Sequence, residues 1–387
     1  MSIAARVSDV VTATHRDREG STVVGVVAKR TYQVVDERAS VSHEQCPLVD
    51  TVHVRTDGTL EHDVDVVVQR PLVDVIVRGY AYATDSPGAE ISFNCGVGRR
   101  RIAVFGDRTC ERNVAGRLSF SQPLPWQRIP LEWSSAYGGC DSAAFQRMGD
   151  PAADLSARLG LGYDPSQGMF GYPRNPAGRG YLIEPTTAAL ETLRLPNLED
   201  PSFLLTPDNI VRGHPKVWPT APPPACTGWL PHTFFPRSTQ IGIPPSVYDA
   251  RQIDARAFYE VRVGLLRASD VSPKPLIGRR PNLGVAQASA IGMRFEHLEP
   301  GSWIELIGVH PRHRSWRFRL PAVAPRMVVR LPGEEPRESN AVIRTLVVEP
   351  ELERICAVWV TEFEHPALLL PDEAQRIQHA VIWPREG

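Results

Sequence analysis

Hydrophobic and polar positions alternate in short runs at the two ends of this 387-residue chain and lose their period in the middle. The run Thr22–Val35, TVVGVVAKRTYQVV, is rich in β-branched residues and partly alternating. It predicts one strand, or two joined by a bulge near Gly25. Residues 62–68 and 71–83 repeat the pattern, and in the second run Val73, Val75 and Val77 share a face. Residues 91–97 and 101–105 predict a hairpin, followed by a turn at Gly106, Asp107 and Arg108. From residue 289 the β pattern returns, with short strands expected at 290–295, 302–309, 316–320, 326–331, 341–349 and 354–361. Gly333-Glu-Glu-Pro336 marks a turn among them, and Glu351 and Glu353 separate the last two strands as in a hairpin.

Between residues 126 and 245 the periodicity fades. Short helices are expected at 152–161, with Asp150 as its cap and Pro151 at the first helical position, and at 186–194. Ala221-Pro-Pro-Pro224 can only be extended, and residues 248–268 mix helical and strand signals. A structureless passage of this length inside a compact domain points to function or to a wrap around the core. The fold class that follows is mainly β: antiparallel, sandwich-like N- and C-terminal sheets with a long irregular, proline-rich middle carrying a few short helices. The regions divide as 1–125, an N-terminal antiparallel β region; 126–288, the loop-rich middle; and 289–387, a C-terminal β region that stands alone or forms one composite domain with the first.

Composition narrows the function without naming it. Formal charge is −1 with both signs mixed along the chain, unlike the concentrated basic face of a nucleic-acid binder. The one basic run, Arg99 to Arg101, reads as a solvated strand end. No stretch approaches the ~18 consecutive apolar residues of a membrane span, and the N-terminus lacks a secretory h-region. Six scattered cysteines without a C-x-x-C pair read as reduced thiols, so a cytoplasmic protein is expected. The 36 prolines suggest many fixed turns.

Motifs that carry chemistry are few in this chain. His310-Pro-Arg-His313 is the best metal candidate, but Pro311 and flanking strands exclude the helical spacing of zinc hydrolases, and no carboxylate cluster stands beside it in sequence. G-x-S-x-G is absent. Cys140 follows Gly138 and Gly139 and precedes Asp141, so a thiol on a sharp turn is conceivable, yet no histidine base lies near in sequence. Gly96-Val-Gly98 leads into another strand, where a dinucleotide site would open a helix. Glu61, Asp63 and Asp65 alternate on one strand face and read as solvated. No catalytic residue, metal or cofactor is assigned. Trp126, Trp133, Tyr137, Trp218, Trp229, Phe234 and Phe235 cluster in or beside the irregular middle. They read either as buried pins for long loops or as exposed anchors for a partner.

Six segments in order then resemble a known family. These are Gly25-Val-Val-Ala-Lys-Arg-Thr-Tyr32, the run 73–83, Val104-Phe-Gly-Asp-Arg108 with Glu111-Arg112, and Pro130-Leu-Glu-Trp133 with Ala136-Tyr-Gly-Gly-Cys-Asp141. Asn175-Pro-Ala-Gly-Arg-Gly-Tyr181 and Leu195-Pro-Asn-Leu-Glu-Asp-Pro201 complete the set. The chain resembles the bacterial domain of unknown function whose members are encoded beside type VI secretion genes and act as effector adaptors or chaperones. It departs at Trp133 and Tyr137, where Tyr and Phe are usual, and at Cys110, where Trp is common. The resemblance implies a non-enzymatic cytosolic adaptor that binds a secreted, PAAR-bearing effector and helps load it onto the VgrG-type spike, without nucleic acid or membrane. The alternatives are a structural accessory protein of the apparatus, or an enzyme with a pocket around Cys140 and Asp141. On the adaptor reading, the 126–141 and 175–201 loops pack into a rigid surface. The residues expected to meet the partner are Arg112, Trp126, Trp133, Tyr137, Gly138, Gly139, Asp141, Asn175, Arg179, Asn197, Trp218 and Trp229, with an extended contact from 219–236.

Overall fold

A computed structural model describes residues 10–16, 22–67, 70–83, 88–144, 171–213, 215–235, 237, 286–365 and 371–384. The expected helix at 152–161 and the ambiguous run 248–268 lie outside these residues. The protein is mainly β, with two short helices among the described residues, Thr187–Thr192 and Pro371–Ala374. The first falls where the sequence places it, and Thr186 caps it by accepting the Ala189 N–H.

One curled, mixed sheet of twelve strands organises the molecule. Its axis is the antiparallel pair Thr22–Val35 and Arg354–His365, in unbroken register from Thr22↔His365 to Gln33↔Arg354. Thr22–Val35 is therefore one strand, with no bulge against this partner at Gly25. Both strands are buried on both faces, which the near-continuous valine run requires. Val24, Val26 and Ala28 enter the main core, while Val27 meets Val358 and Val360 on the opposite side under Val11 and Leu48. Beyond Arg354–His365 lie Val342–Glu349, then Val73–Val77, then Arg294–Phe295. In the other direction the order is Arg38–Val41, Ser315–Arg319, Trp303–Ile307, Gly88–Asn94, Arg99–Phe105 and Leu198–Glu199. Most pairings are antiparallel as expected, but Val342–Glu349 runs parallel to Val73–Val77, and Ser315–Arg319 parallel to Arg38–Val41. The N- and C-terminal β regions thus alternate within one sheet. A three-stranded sheet of Arg337–Asn340, Arg326–Arg330 and Gln378–Ile382 adds Met327 and Val329 to the same core.

Strict alternation appears where one face is wet. Trp303–Ile307 and Ser315–Arg319 bury every second residue, placing Ile304, Leu306, Trp316 and Phe318 in the core. Among the described residues of the strand expected over 62–68, His62 ends the strand Leu60–His62 and residues 63–67 are irregular backbone. The cause is charge. Asp63 and Asp65 turn inward, Asp63 onto Arg237 at 2.6 Å and Asp65 onto Lys29 at 2.7 Å, all four buried. Expected as a solvated face, the two carboxylates are paired ions beneath the sheet. Asp74 belongs to the same buried belt, accepting from Gln287, Ala288 N and both donors of Ser289, with Arg70 at 3.6 Å. These contacts lash the 286–295 segment to Val73–Val77.

Candidate interaction surface

The loop segments singled out in the sequence meet at one place. A single turn of 3-10 helix, Trp133–Ser135, leads into Tyr137–Gly138, which pairs in parallel with Arg179–Gly180. Gly138 has φ 153°, and a Cβ there would lie 2.1 Å from the Asn175 carbonyl oxygen, so only glycine allows the two loops to close. Asn175, fully buried, donates from Nδ2 to the carbonyls of Trp133 at 2.8 Å and Tyr137 at 3.1 Å. Its own carbonyl accepts the Gly139 N–H at 2.9 Å. Asp141 holds two further segments: one carboxylate oxygen accepts the Ala144 N–H, the other those of Ile183 and Glu184. Asn197 bonds Phe105 O and Asp107 Oδ1, seating the 195–201 loop on the sheet edge. Arg179 reaches Ser134 O from Nε at 2.7 Å.

The aromatic residues complete this platform from within. Tyr137 packs edge-on to Tyr172 and Tyr181, and burial pushes its phenol far above the usual range. Tyr172 donates to Pro222 O at 2.8 Å and meets Trp218 edge-on, tying in the proline-rich segment. Trp218 meets Phe235 in turn. Trp133 donates from Nε1 to Trp229 O at 2.7 Å and packs against Phe234, while Trp229 lies over His62. Of the twelve residues expected at a partner surface, Trp133, Tyr137, Gly138, Gly139, Asp141, Asn175, Asn197 and Trp229 are buried. They are the pins of the loops, the first of the two readings the sequence allows. Trp126, Arg179 and Trp218 are half-buried, and Arg112 is exposed, bonding Gly116 O and Pro185 O.

Beside this platform, bordered by its Trp133 turn, lies a cleft of about 250 Å³. Trp133 and Trp229 lie among its lining residues. One wall is the hairpin of His53–Val54 and Leu60–His62; another is the ribbon of Tyr80–Tyr82 and Arg128–Pro130; a third is the turn Pro350–Leu352. The rim carries a mosaic of ion pairs: Arg55 with Glu132 at 2.8 Å, Arg78 with Glu349 at 3.4 Å, and Arg128 with Glu351 at 3.9 Å. Tyr82 donates to Glu351, and Arg128 stacks 4.4 Å over Tyr80. Leu352 on the rim is 53% exposed, and Val54 on the neighbouring hairpin 62%. Sequence reading missed this cleft because its walls come from four distant segments. The one available signal was Gly79 inside the 71–83 run, with φ 140°, where the strand breaks and turns toward the cleft.

Residues 19–360 match the family described as "Uncharacterized protein conserved in bacteria (DUF2169)". The chain belongs to this family. No curated protein and no solved structure matches it. All six resembling segments fall inside the matched span, so the DUF2169 region includes both the platform and the walls of the cleft.

One further cluster in this DUF2169 chain brings in a carboxylate the sequence did not place. Glu353, held in the left-handed region at φ 48°, lies 3.2 Å from His310 Nε2, with the His313 ring centred 4.7 Å from the His310 ring. His310 Nδ1 accepts the N–H groups of Arg312 and His313, which leaves the ring proton on Nε2, donated to Glu353. Arg312 holds the same carboxylate at 2.5 Å. Both imidazole nitrogens of His310 are committed, and the arrangement closes the turn between Trp303–Ile307 and Ser315–Arg319. Burial lowers the pKa of His310 in spite of Glu353.

Proposed function

We propose that this DUF2169 protein is an adaptor of a type VI secretion system, working by binding and not by turnover. In this reading it holds a secreted, PAAR-bearing effector in the cytosol and helps load it onto the VgrG-type spike. The observation that carries the reading is a rigid platform, locked by Asn175, Asp141 and Gly138, whose Trp133 turn borders an open cleft. A surface built this way loses little ordering entropy on binding. Its mosaic of carboxylates and guanidiniums, with exposed Leu352 on the rim and exposed Val54 on the neighbouring hairpin, suits a polypeptide with mixed charge more than a small apolar ligand. The resemblance of six segments in order supports a secreted effector as the partner.

The buried aromatics position this surface, so the test belongs on exposed cleft residues. Leu352→Arg and Glu61→Arg, both at exposed positions lining the cleft, are expected to keep the melting temperature. They should reduce recovery of the effector and spike when the tagged protein is purified from cells expressing the secretion genes. Arg330→Glu on the three-stranded sheet serves as the control and should recover both. Equal recovery by all three variants would remove the cleft from the reading. Recovery of sheath or baseplate proteins at fixed stoichiometry, with no effector, would replace the adaptor by a structural part of the apparatus.

A further inference from the structure

Two cysteines far apart in the chain meet behind the cleft. Cys356 lies in Arg354–His365 directly across from Thr31, whose hydroxyl is 3.6 Å from the Cys356 sulfur. The same hydroxyl accepts the Cys46 N–H at 2.9 Å, so Thr31 bridges the two residues, and Cys46 packs against the buried cluster that holds Cys356. Cys46 is partly exposed, while Cys356 is buried in a cluster with Leu60, Ile76, Trp229 and Val347. Cys46 also stands just ahead of the hairpin of His53–Val54 and Leu60–His62, which forms a wall of the cleft.

The surroundings favour a thiolate on the outer sulfur. The Cys356 thiol, then the Thr31 hydroxyl and the charges of Arg354 and Lys29, outweigh burial and bring Cys46 down to about 6. Arg354 is held by Glu349, and Lys29 by Asp65. Cys356, beside the Cys46 sulfur and buried, is raised. Burial raises Cys95, Cys110 and Cys226 as well, so these remain thiols. Thiolate character with access is what makes a cysteine reactive.

We propose that Cys46 is a peroxide-reactive thiol with Cys356 as its resolving partner, so that oxidation staples the root of the cleft hairpin to the central strand pair. The Cys46 sulfur attacks the O–O bond of a hydroperoxide, takes one oxygen to become a sulfenic acid, and releases water or an alcohol. The Cys356 sulfur then displaces the hydroxyl group, forming the S–S bond, and its thiol proton leaves with that hydroxyl as water. The two sulfurs together lose two electrons, which the hydroperoxide gains. A dithiol reductant reverses the step by exchange. The inference is independent of which partner the cleft takes.

The test is hydrogen peroxide titration of the full-length protein, in parent form and with Cys140→Ser to silence the other exposed thiol, read by non-reducing intact mass and peptide mapping. The expected product has lost two hydrogens and contains one Cys46–Cys356 cross-link that a dithiol removes. Cys356→Ser is expected to stop at a Cys46 sulfenic acid trapped by dimedone. In the reduced parent, iodoacetamide should alkylate Cys46 with a half-maximal rate near pH 6, and roughly twofold faster at neutral pH than an exposed thiol of ordinary pKa. Cys46 staying reduced while Cys140 oxidises would overturn the proposal. So would a stable Cys46 sulfenic acid in the parent, or a cross-link to any other cysteine. The parent's own cross-link decides the matter even where a serine variant misfolds.

Discussion

Asn175 spends its side-chain amide on carbonyls of the 133–137 turn, in a place that water does not reach. Removing that amide leaves buried acceptors without donors, and each such group costs about 1–3 kcal/mol. Asn175→Ala is therefore expected to lose roughly 2–4 kcal/mol of unfolding free energy, read as a lower urea midpoint at unchanged slope. A loss under half a kilocalorie would mean that the platform is not held there. The motif around Asn175 was legible as a fixed loop, because glycine, proline and aromatic residues at this density cannot form a regular interior. Which way its side chains face was not legible. A strand announces its buried face by alternation, whereas Tyr137, Trp133 and Trp229 sit in backbone with no period, so the same residues read as pins or, alternatively, as partner anchors. The Gly138 closure shows the rest: the need for glycine arises from the Asn175 carbonyl, 37 positions away in a loop no local pattern connects to it.

Among the elements, the short edge strand Leu198–Glu199 depends on one ion. Arg108 donates to Glu199 and to Pro196 O, both partners of the ion pair are buried, and the other Glu199 oxygen accepts the Leu205 N–H. Burial raises the Glu199 pKa, and Arg108 is the charge that opposes it. Arg108→Ala strands this carboxylate at a cost of about 3–5 kcal/mol. The damage is expected locally first: trypsin should cut after the exposed Arg194 at temperatures where the parent is intact, with the main transition lowered less than the loop. Unchanged cleavage would show that the segment is held by its backbone pairing alone. Element by element, apolar strands were visible in the sequence and polar ones were not. Arg38–Val41, Arg337–Asn340 and Gln378–Ile382 have little apolar alternation and are mostly exposed or half-buried, so only their ladders with Thr22–Val35 and Arg326–Arg330 define them. The converse failure, the strand expected at 62–68, came from counting Asp63 and Asp65 as solvent-facing when Arg237 and Lys29 wait for them inside.

At the scale of the molecule, the order of strands makes folding indivisible. Gly88–Asn94 pairs with Trp303–Ile307, Thr22–Val35 with Arg354–His365, and Val73–Val77 with Val342–Glu349, so neither terminal β region closes a sheet without the other. Pairings between strands so distant leave no local trace, which is why the sequence left one composite domain and two separate ones equally open. Three histidines on different elements report on this shared fold. His62, His232 and His310 all have pKa values below the ordinary 6.5, in each case chiefly through burial. The folded state holds these rings neutral and the unfolded chain binds the extra protons, so stability rises with pH across this window. Their contribution is complete above 6.5 and is lost as pH falls through that value toward the folded-state values. Calorimetry should therefore show one dominant transition, with its midpoint falling as pH is lowered from about 7.5 to 5.5 and proton uptake accompanying unfolding. His62→Gln, which removes the ring that stacks on Trp229, should flatten that pH dependence and lower the midpoint at neutral pH. Two well-separated transitions would break the single-sheet account, and a midpoint independent of pH would show that the buried imidazoles are already solvated in the native state.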